Sequence, residues 1–480
     1  MNSQHPPGGV ATTGSISQMI ESSSNLAGPN RTEPGRDELY RRIGLRVVPL
    51  AALGYVVAYI DRVNIGFAKL GFVRDLSFSD AIYGVGAGLF FAGYFLLELP
   101  SNLLLEYIGA RKTLARIMIL WGLISAATAF VKTPAQFYIM RFALGAAEAG
   151  FFPGIILYLS YWFPAARRGR ITALFAMGAS LAGVVGNPLS GWLMSLDGLH
   201  GLRGWQVLLV YEALPAVVLG IVYFFFITDR PENARWLSGN EKRNLLEELA
   251  IDTATPDGGS IPMRTKLLHT FRDPKVYMLA LAYLSILAGT QTVALWAPTL
   301  LRELGVGMRS TGFLGALPFV VSTLSMYLVG RSSDRHMERR WHFCIVIWAA
   351  AFSLAALNLG AHSVITTVAL LSIIAAGCWS AVTVLWTIPA VLLPNEVRSG
   401  GIAFISSAGA IGGLLSPLII GYSNELAGSR YIGFAMIGAM LGVSGLIVLF
   451  FVPKAAPVGL FASGDKQQAI DISAYKPHQE

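Results

Sequence analysis

Four charged residues stand inside stretches that are otherwise almost wholly apolar. Asp61 and Arg62 lie in Tyr59-Ile-Asp61-Arg62-Val-Asn64. Arg141 and Glu148 lie seven residues apart in Arg141-Phe-Ala-Leu-Gly145-Ala-Ala-Glu148. A guanidinium grips a carboxylate through two parallel hydrogen bonds and keeps its charge. A carboxyl group screened from water but near an arginine can load and release a proton as its surroundings change. Arg62 and Arg141 are therefore candidates for gripping a carboxylate ligand, and Asp61 and Glu148 for proton coupling. The same four residues could instead form static ion pairs that lock two helices. Burying ion pairs is a poor route to stability, which weakens that alternative.

Other residues are placed to help them. Tyr59 and Asn64 bracket the first pair, and Asn64 shares a helix face with Asp61 at i,i+3. Tyr94, Asn187 and Gln291 are polar groups in apolar surroundings, suited either to a ligand or to hydrogen bonds between helices. Trp386, with Trp296 and Trp379, offers an aromatic wall or plain packing. Glu98 and Glu212 fall near segment ends, where hydrated or structural roles are expected. The 7 histidines lie outside the centres of the apolar stretches, which speaks against a histidine proton relay. No Walker loop, no HExxH and no paired CxxC is present. ATP-driven transport, a metal site and any cofactor are therefore not expected. Cys344 and Cys378 both sit in apolar stretches and suggest no disulfide framework.

The elements that must position these groups are membrane helices. The chain has 480 residues, 54% of them hydrophobic and only 13% charged, with a mean hydropathy of +0.57. Soluble domains average about 25% charged residues, so a soluble enzyme, a disordered protein and a nucleic-acid binder are all excluded. Apolar stretches long enough for a bilayer fall at 44–68, 79–104, 113–131, 135–163, 170–195, 205–228, 275–301, 311–330, 341–360, 364–393, 400–424 and 431–452, giving twelve spans. With the N-terminus inside, 27 Lys and Arg lie on the cytoplasmic side and 7 outside. Basic residues concentrate on the cytoplasmic side, so both termini are expected there. The same count explains the net charge of +8 without nucleic acid.

At 1.5 Å per residue, Asp61 lies roughly 22 Å into span 1, and Arg141 roughly 9 Å into span 4 from the other side. In a core about 30 Å thick these two share a level, with Arg62 beside Asp61 and Glu148 nearer the midplane on the Arg141 face. Spans 7 to 12 carry no charge in their interiors, so ion chemistry is expected in the first half. The organisation expected is a cytoplasmic tail at 1–43, a six-helix bundle at 44–228, a cytoplasmic central loop at 229–274, a second six-helix bundle at 275–452 and a cytoplasmic tail at 453–480.

The halves repeat faintly. Asn102-Leu-Leu-Leu-Glu106-Tyr-Ile-Gly109-Ala-Arg111-Lys112 follows span 2, and Gly330-Arg-Ser-Ser-Asp334-Arg335 follows span 8. Each places an acid at a helix end ahead of basic residues, as in duplicated transporter halves. This pattern resembles the major facilitator superfamily. More specific strings resemble its anion:cation symporter family, and within it the bacterial permeases for tartrate, phthalate and hydroxyphenylacetate. These strings are Tyr59 to Ala68, Gly93-Tyr94-Phe-Leu-Leu-Glu98-Leu-Pro100-Ser-Asn102, Arg141 to Gly154 and Asp229-Arg230-Pro231-Glu232-Asn-Ala-Arg-Trp236.

The resemblance implies an all-α integral membrane protein of twelve helices in two pseudo-symmetric bundles, with no enzymatic activity. It implies proton-coupled import of a small organic anion, a mono- or dicarboxylate with aromatic acids included, across a bacterial inner membrane by a monomer. Sodium remains open as the coupling ion. It gives the span 1 and span 4 acids the proton-coupling role and assigns Glu106, Arg111, Asp334 and Arg335 to contacts that gate conformation. An exporter of organic acids or drugs, and a membrane sensor without transport, remain the alternatives.

Overall fold

The computed structural model describes residues 34–164, 167, 178–254, 269–359 and 363–452. Most of the two expected tails, residues 170–177 of span 5 and residues 255–268 of the central loop lie outside the described residues. Among the described residues the regular structure is helical: α1 (Pro34–Leu76), α2 (Asp80–Ile108), α3 (Ala110–Thr128), α4 (Pro134–Glu148), α5 (Phe151–Ser160), α6 (Gly178–Met194), α7 (Gly204–Phe226), α8 (Gly239–Ala254), α9 (Pro274–Glu303), α10 (Met308–His336), α11 (Arg340–Ala356), α12 (Val364–Leu385), α13 (Pro389–Leu392), α14 (Asn395–Ala427) and α15 (Arg430–Phe451). Nine helices, with α4 and α5 taken as one, are long and apolar enough to cross a membrane among the described residues. The other three expected spans fall on α3, which begins with Arg111, Lys112 and Arg116, on the described part of α6, and on the 17-residue α11. A helix satisfies its own backbone polar groups, which lipid cannot do.

The ends follow local chemistry. Ser79, Thr133 and Ser363 cap α2, α4 and α12 by accepting backbone N–H bonds. Pro134 occupies the first turn of α4, where its missing N–H costs nothing, so the hairpin expected around Lys132-Thr133-Pro134 forms.

Two expectations are corrected. Span 1 does not stop at 68: α1 runs on to Leu76, so Lys69 belongs to a helix rather than a loop. Span 4 is not continuous: the helix breaks at Ala149-Gly150, with Gly150 left-handed at φ +84°. Pro153 supplies the reason, since its ring would clash with the carbonyl of residue 149 in an unbroken helix. The break falls immediately after Glu148.

Lipid gives no hydrophobic drive for helices to associate, so small residues that permit close contact must do so. Gly145 shows the extent of this: a Cβ there would stand 1.9 Å from the Phe90 carbonyl oxygen. Across the two six-helix halves, α2 packs on α14 and α6 packs on α10. These pairs are spans 2 with 11 and 5 with 8, which the pseudo-symmetry interchanges.

Candidate substrate and coupling site

The α2–α4 contact at Gly145 brings Arg141 and Glu148 against the Asp61–Arg62 stretch of α1. Arg62 donates from Nε to Glu148 Oε1 at 2.6 Å, and its Nη2 lies 2.5 Å from the same oxygen. Glu148 is fully buried, whereas the Arg62 side chain retains 21% exposure. The Arg62 guanidinium stands 5.0 Å from the Tyr94 ring centroid and 5.6 Å from that of Phe90. Arg141 lies 4.9 Å from the Phe90 ring centroid and is buried. It feels the charges of Asp61 and Glu148, yet no carboxylate among the described residues forms an ion pair with it. Asp61 is held from two sides: Ser125 Oγ donates to its Oδ1 at 2.5 Å and Asn64 Nδ2 donates to the same atom at 3.2 Å. Asp61 Oδ2 and Glu148 Oε2 are buried and have no hydrogen-bond partner among the described residues. The four charges thus share one locality, with one guanidinium paired and the other unpaired.

The secondary candidates divide. Tyr94 joins the group beneath Arg62, and Asn64 joins it at Asp61. Tyr59 is buried, its ring 5.9 Å from that of Trp379 on α12 in the opposite half. Trp386, half-buried at the end of α12, packs 5.0 Å from Tyr283, whose hydroxyl feels Arg62 and Glu98. Tyr94 thus stands at Arg62 in the first half, and Tyr283 and Trp386 pack on each other as half-buried rings in the second. Gln291 is buried in α9. Asn187 donates to the Gly183 carbonyl at 2.7 Å, and its Oδ1 lies against Gly315 of α10, so its contacts belong to the α6–α10 crossing. Glu98, one turn beyond Tyr94, is half-buried, and no described residue pairs with it. Trp296 does not line this space: it is fully buried and faces Lys69.

The loop residues sit at the side where α2 ends. Arg111 donates its backbone N–H to Asp229 Oδ1 at 2.7 Å, placing a carboxylate at the start of α3, where the helix dipole favours it. Gly109 makes this possible with φ +91°, since a Cβ there would stand 2.6 Å from the same oxygen. Asp334 pairs with Arg339 at 2.6 Å. Glu106 and Arg335 are exposed.

At the opposite side, where α1 ends and α2 begins, stands a cluster the sequence did not disclose. Lys69 Nζ pairs with Asp80 Oδ1 at 2.9 Å and sits 3.6 Å from the Trp296 ring centroid. Arg430 Nη2 reaches Asp80 Oδ2 at 3.2 Å and its Nη1 reaches Glu303. Asn424 donates to Asp80 at 2.9 Å, and Ser79 donates to Glu425 at 3.3 Å. These contacts join α1 and α2 to α9, α14 and α15, closing the two halves together at that side. The available signal was the apolar Leu70-Gly-Phe-Val73 that resumes after Lys69.

The sequence pattern of the Major Facilitator Superfamily matches residues 51–394 and 279–476. The chain belongs to the Major Facilitator Superfamily. It is a multi-pass membrane transporter and not an enzyme. This transporter is 44% identical, over 87% of its length and 95% of the relative's, to an Agrobacterium vitis protein named for tartrate transport. It is 36% identical, over 92% of its length and 99% of the relative's, to a quinolone resistance transporter of Acinetobacter baumannii. In fold it is similar to an inward-open structure of the Escherichia coli xylose transporter XylE, with a TM-score of 0.67 at 16% identity, covering 85% of this chain and 96% of that one.

Proposed function

We propose that this transporter carries a small organic anion in symport with protons. The observation that carries this reading is the Arg62–Glu148 ion pair at the break in span 4. While Glu148 is ionised it occupies Arg62. A proton on Glu148 cancels that charge and frees the guanidinium for the carboxylate of a substrate. One carboxylate replaces another, so the net charge of the site does not change when a proton and a monocarboxylate enter together. That exchange avoids leaving a buried charge without compensation. Arg141 offers a second guanidinium, suited to a second carboxylate or to the other oxygen of the first. The rings of Tyr94, Tyr283 and Trp386 supply apolar wall for an aromatic acid or for the carbon skeleton of a hydroxy acid.

Alternating access completes the cycle. The Lys69–Asp80–Arg430–Glu303 cluster holds one side shut, and Glu106, Arg111, Asp334 and Arg335 belong to the loops of the other. The distribution of 27 basic residues against 7 supports both termini in the cytoplasm, and the A. vitis relative supports a bacterial inner membrane and tartrate as the first substrate to try. The bundle bounds remain 44–228 and 275–452, and the unit is a monomer.

The test is uptake of labelled tartrate and of aromatic monocarboxylates into proteoliposomes under an inward proton gradient. Uptake should rise with the gradient. Glu148→Gln should keep exchange of substrate for substrate while losing gradient-driven accumulation. Uptake indifferent to the gradient would defeat symport. The quinolone resistance relative favours a second reading, export. Efflux of the anion driven by inward proton movement, without accumulation, would select it.

A further inference from the structure

The exchange at Arg62 uses Glu148 and leaves another buried carboxyl in the first half unexplained. Glu212 lies on α7 and is 3% exposed, not at a hydrated helix end. Ser190 Oγ of α6 donates to its Oε1 at 2.7 Å. Its Oε2 is buried with no hydrogen-bond partner among the described residues. Asn64 of α1 donates its amide to Asp61 at 3.2 Å. The charged group that acts on Glu212 is Asp61. The neighbouring faces of α6 and α3 present the neutral hydroxyls of Ser190 and Ser125, and no described cation pairs with it. Apart from the half-buried Glu98, the described carboxyls around this core are the buried Asp61, Glu148 and Glu212, and the guanidiniums are Arg62 and Arg141. With all five ionised, one negative charge is in surplus. A surplus charge in an apolar interior demands a counter-charge or a proton.

We propose that Glu212, buried with one neutral donor and one free oxygen, is the seat of one bound cation, a proton, distinct from the proton that Glu148 exchanges. Binding forms an O–H bond at the free oxygen of Glu212, and release returns the proton to water when the seat becomes hydrated. The seat stands on charge balance and geometry alone. Its transport consequence rests on the symport reading: if both seats cycle, two protons accompany each monocarboxylate.

The experiment uses the full-length protein in detergent without substrate, so it does not depend on that reading. The apparent unfolding midpoint is followed from about pH 5 to pH 9 in potassium and in sodium salts. The native protein with an occupied seat binds one more proton than the unfolded chain, so its stability falls as pH rises. Wild type should lose several degrees across the range. Glu212→Gln keeps the acceptor for Ser190 and cannot ionise, so its midpoint should be flatter. Ser190→Ala removes a donor to the ionised carboxylate and should extend the fall to higher pH, a check that survives poor expression of the first variant. The same pH dependence in wild type and Glu212→Gln would overturn the inference and leave symport through Glu148 standing. A sodium-dependent rise in midpoint, lost in Glu212→Gln, would replace the proton by sodium and overturn the proton assignment. Loss of gradient-driven uptake in the wild type would instead count against symport and leave the seat unaffected.

Discussion

Arg141 is the residue whose state says most about what the site awaits. A buried guanidinium normally finds a carboxylate, yet Arg141 has the Phe90 ring on one side and no ion-pair partner among the described residues. Its neighbour Arg62 is occupied by Glu148. The two arginines are thus not equivalent, although the sequence treats them alike. Arg141→Lys keeps the charge and gives up the planar fork. The apparent affinity for carboxylate substrates should fall about tenfold, with maximal rate less affected, measured as the concentration dependence of uptake. An unchanged affinity would assign Arg141 to holding Asp61 in place. At this scale much was legible. Counting charges in apolar stretches singled out the four residues, and helix rise put Asp61, Arg62 and Arg141 at one level with Glu148 two turns deeper on the Arg141 face. Glu212 was not legible, because its place near a segment end hid that α6 closes over it.

At the scale of elements, the site depends on how closely α2 and α4 approach. Gly145 admits the Phe90 backbone to a distance that no side chain would permit. Gly145→Ala must push the two helices apart or distort one of them. Overpacking of this kind costs about 1 to 3 kcal/mol. The expected outcomes are a lower unfolding midpoint and weaker substrate binding, because Arg141 and Glu148 ride on the displaced helix. A variant with wild-type midpoint and affinity would show that the α2–α4 spacing does not set the site. The break after Glu148 acts at the same scale. It was readable in principle from Gly150 and Pro153, but the hydropathy of 135–163 is continuous, and hydropathy reports solubility in lipid rather than backbone continuity. Lys69 was misplaced for a related reason. A lysine ended the apolar run, whereas the helix continues because Asp80 and Trp296 receive the charge.

At the scale of the molecule, the alternating access proposed above would part the two halves at the Lys69–Asp80–Arg430–Glu303 cluster, and the arrangement of charge would make that reversible. Lys69 and Asp80 both belong to the first half, and Arg430 and Glu303 both to the second. Separation therefore breaks Arg430–Asp80, Asn424–Asp80, Ser79–Glu425 and the contact of Lys69 with Trp296. Each half still keeps one acid paired with one base, and no charge is stranded. A pair split wholly across the interface would leave two desolvated ions at each opening, at far greater cost. This pairing joins residues hundreds of positions apart, which no local pattern in the sequence encodes. It also makes the closure testable without a substrate-site mutation. Ser79 and Glu425 touch across the halves at 3.3 Å, and the two native cysteines, Cys344 and Cys378, are buried. In a Ser79→Cys, Glu425→Cys double variant, a short thiol cross-linker should stop net uptake, and reduction of a cleavable cross-link should restore it. Each single variant treated in the same way should keep transporting. Undiminished transport by a fully cross-linked double variant would mean that the halves need not part at this side, and the cluster would then be a fixed hinge rather than a gate.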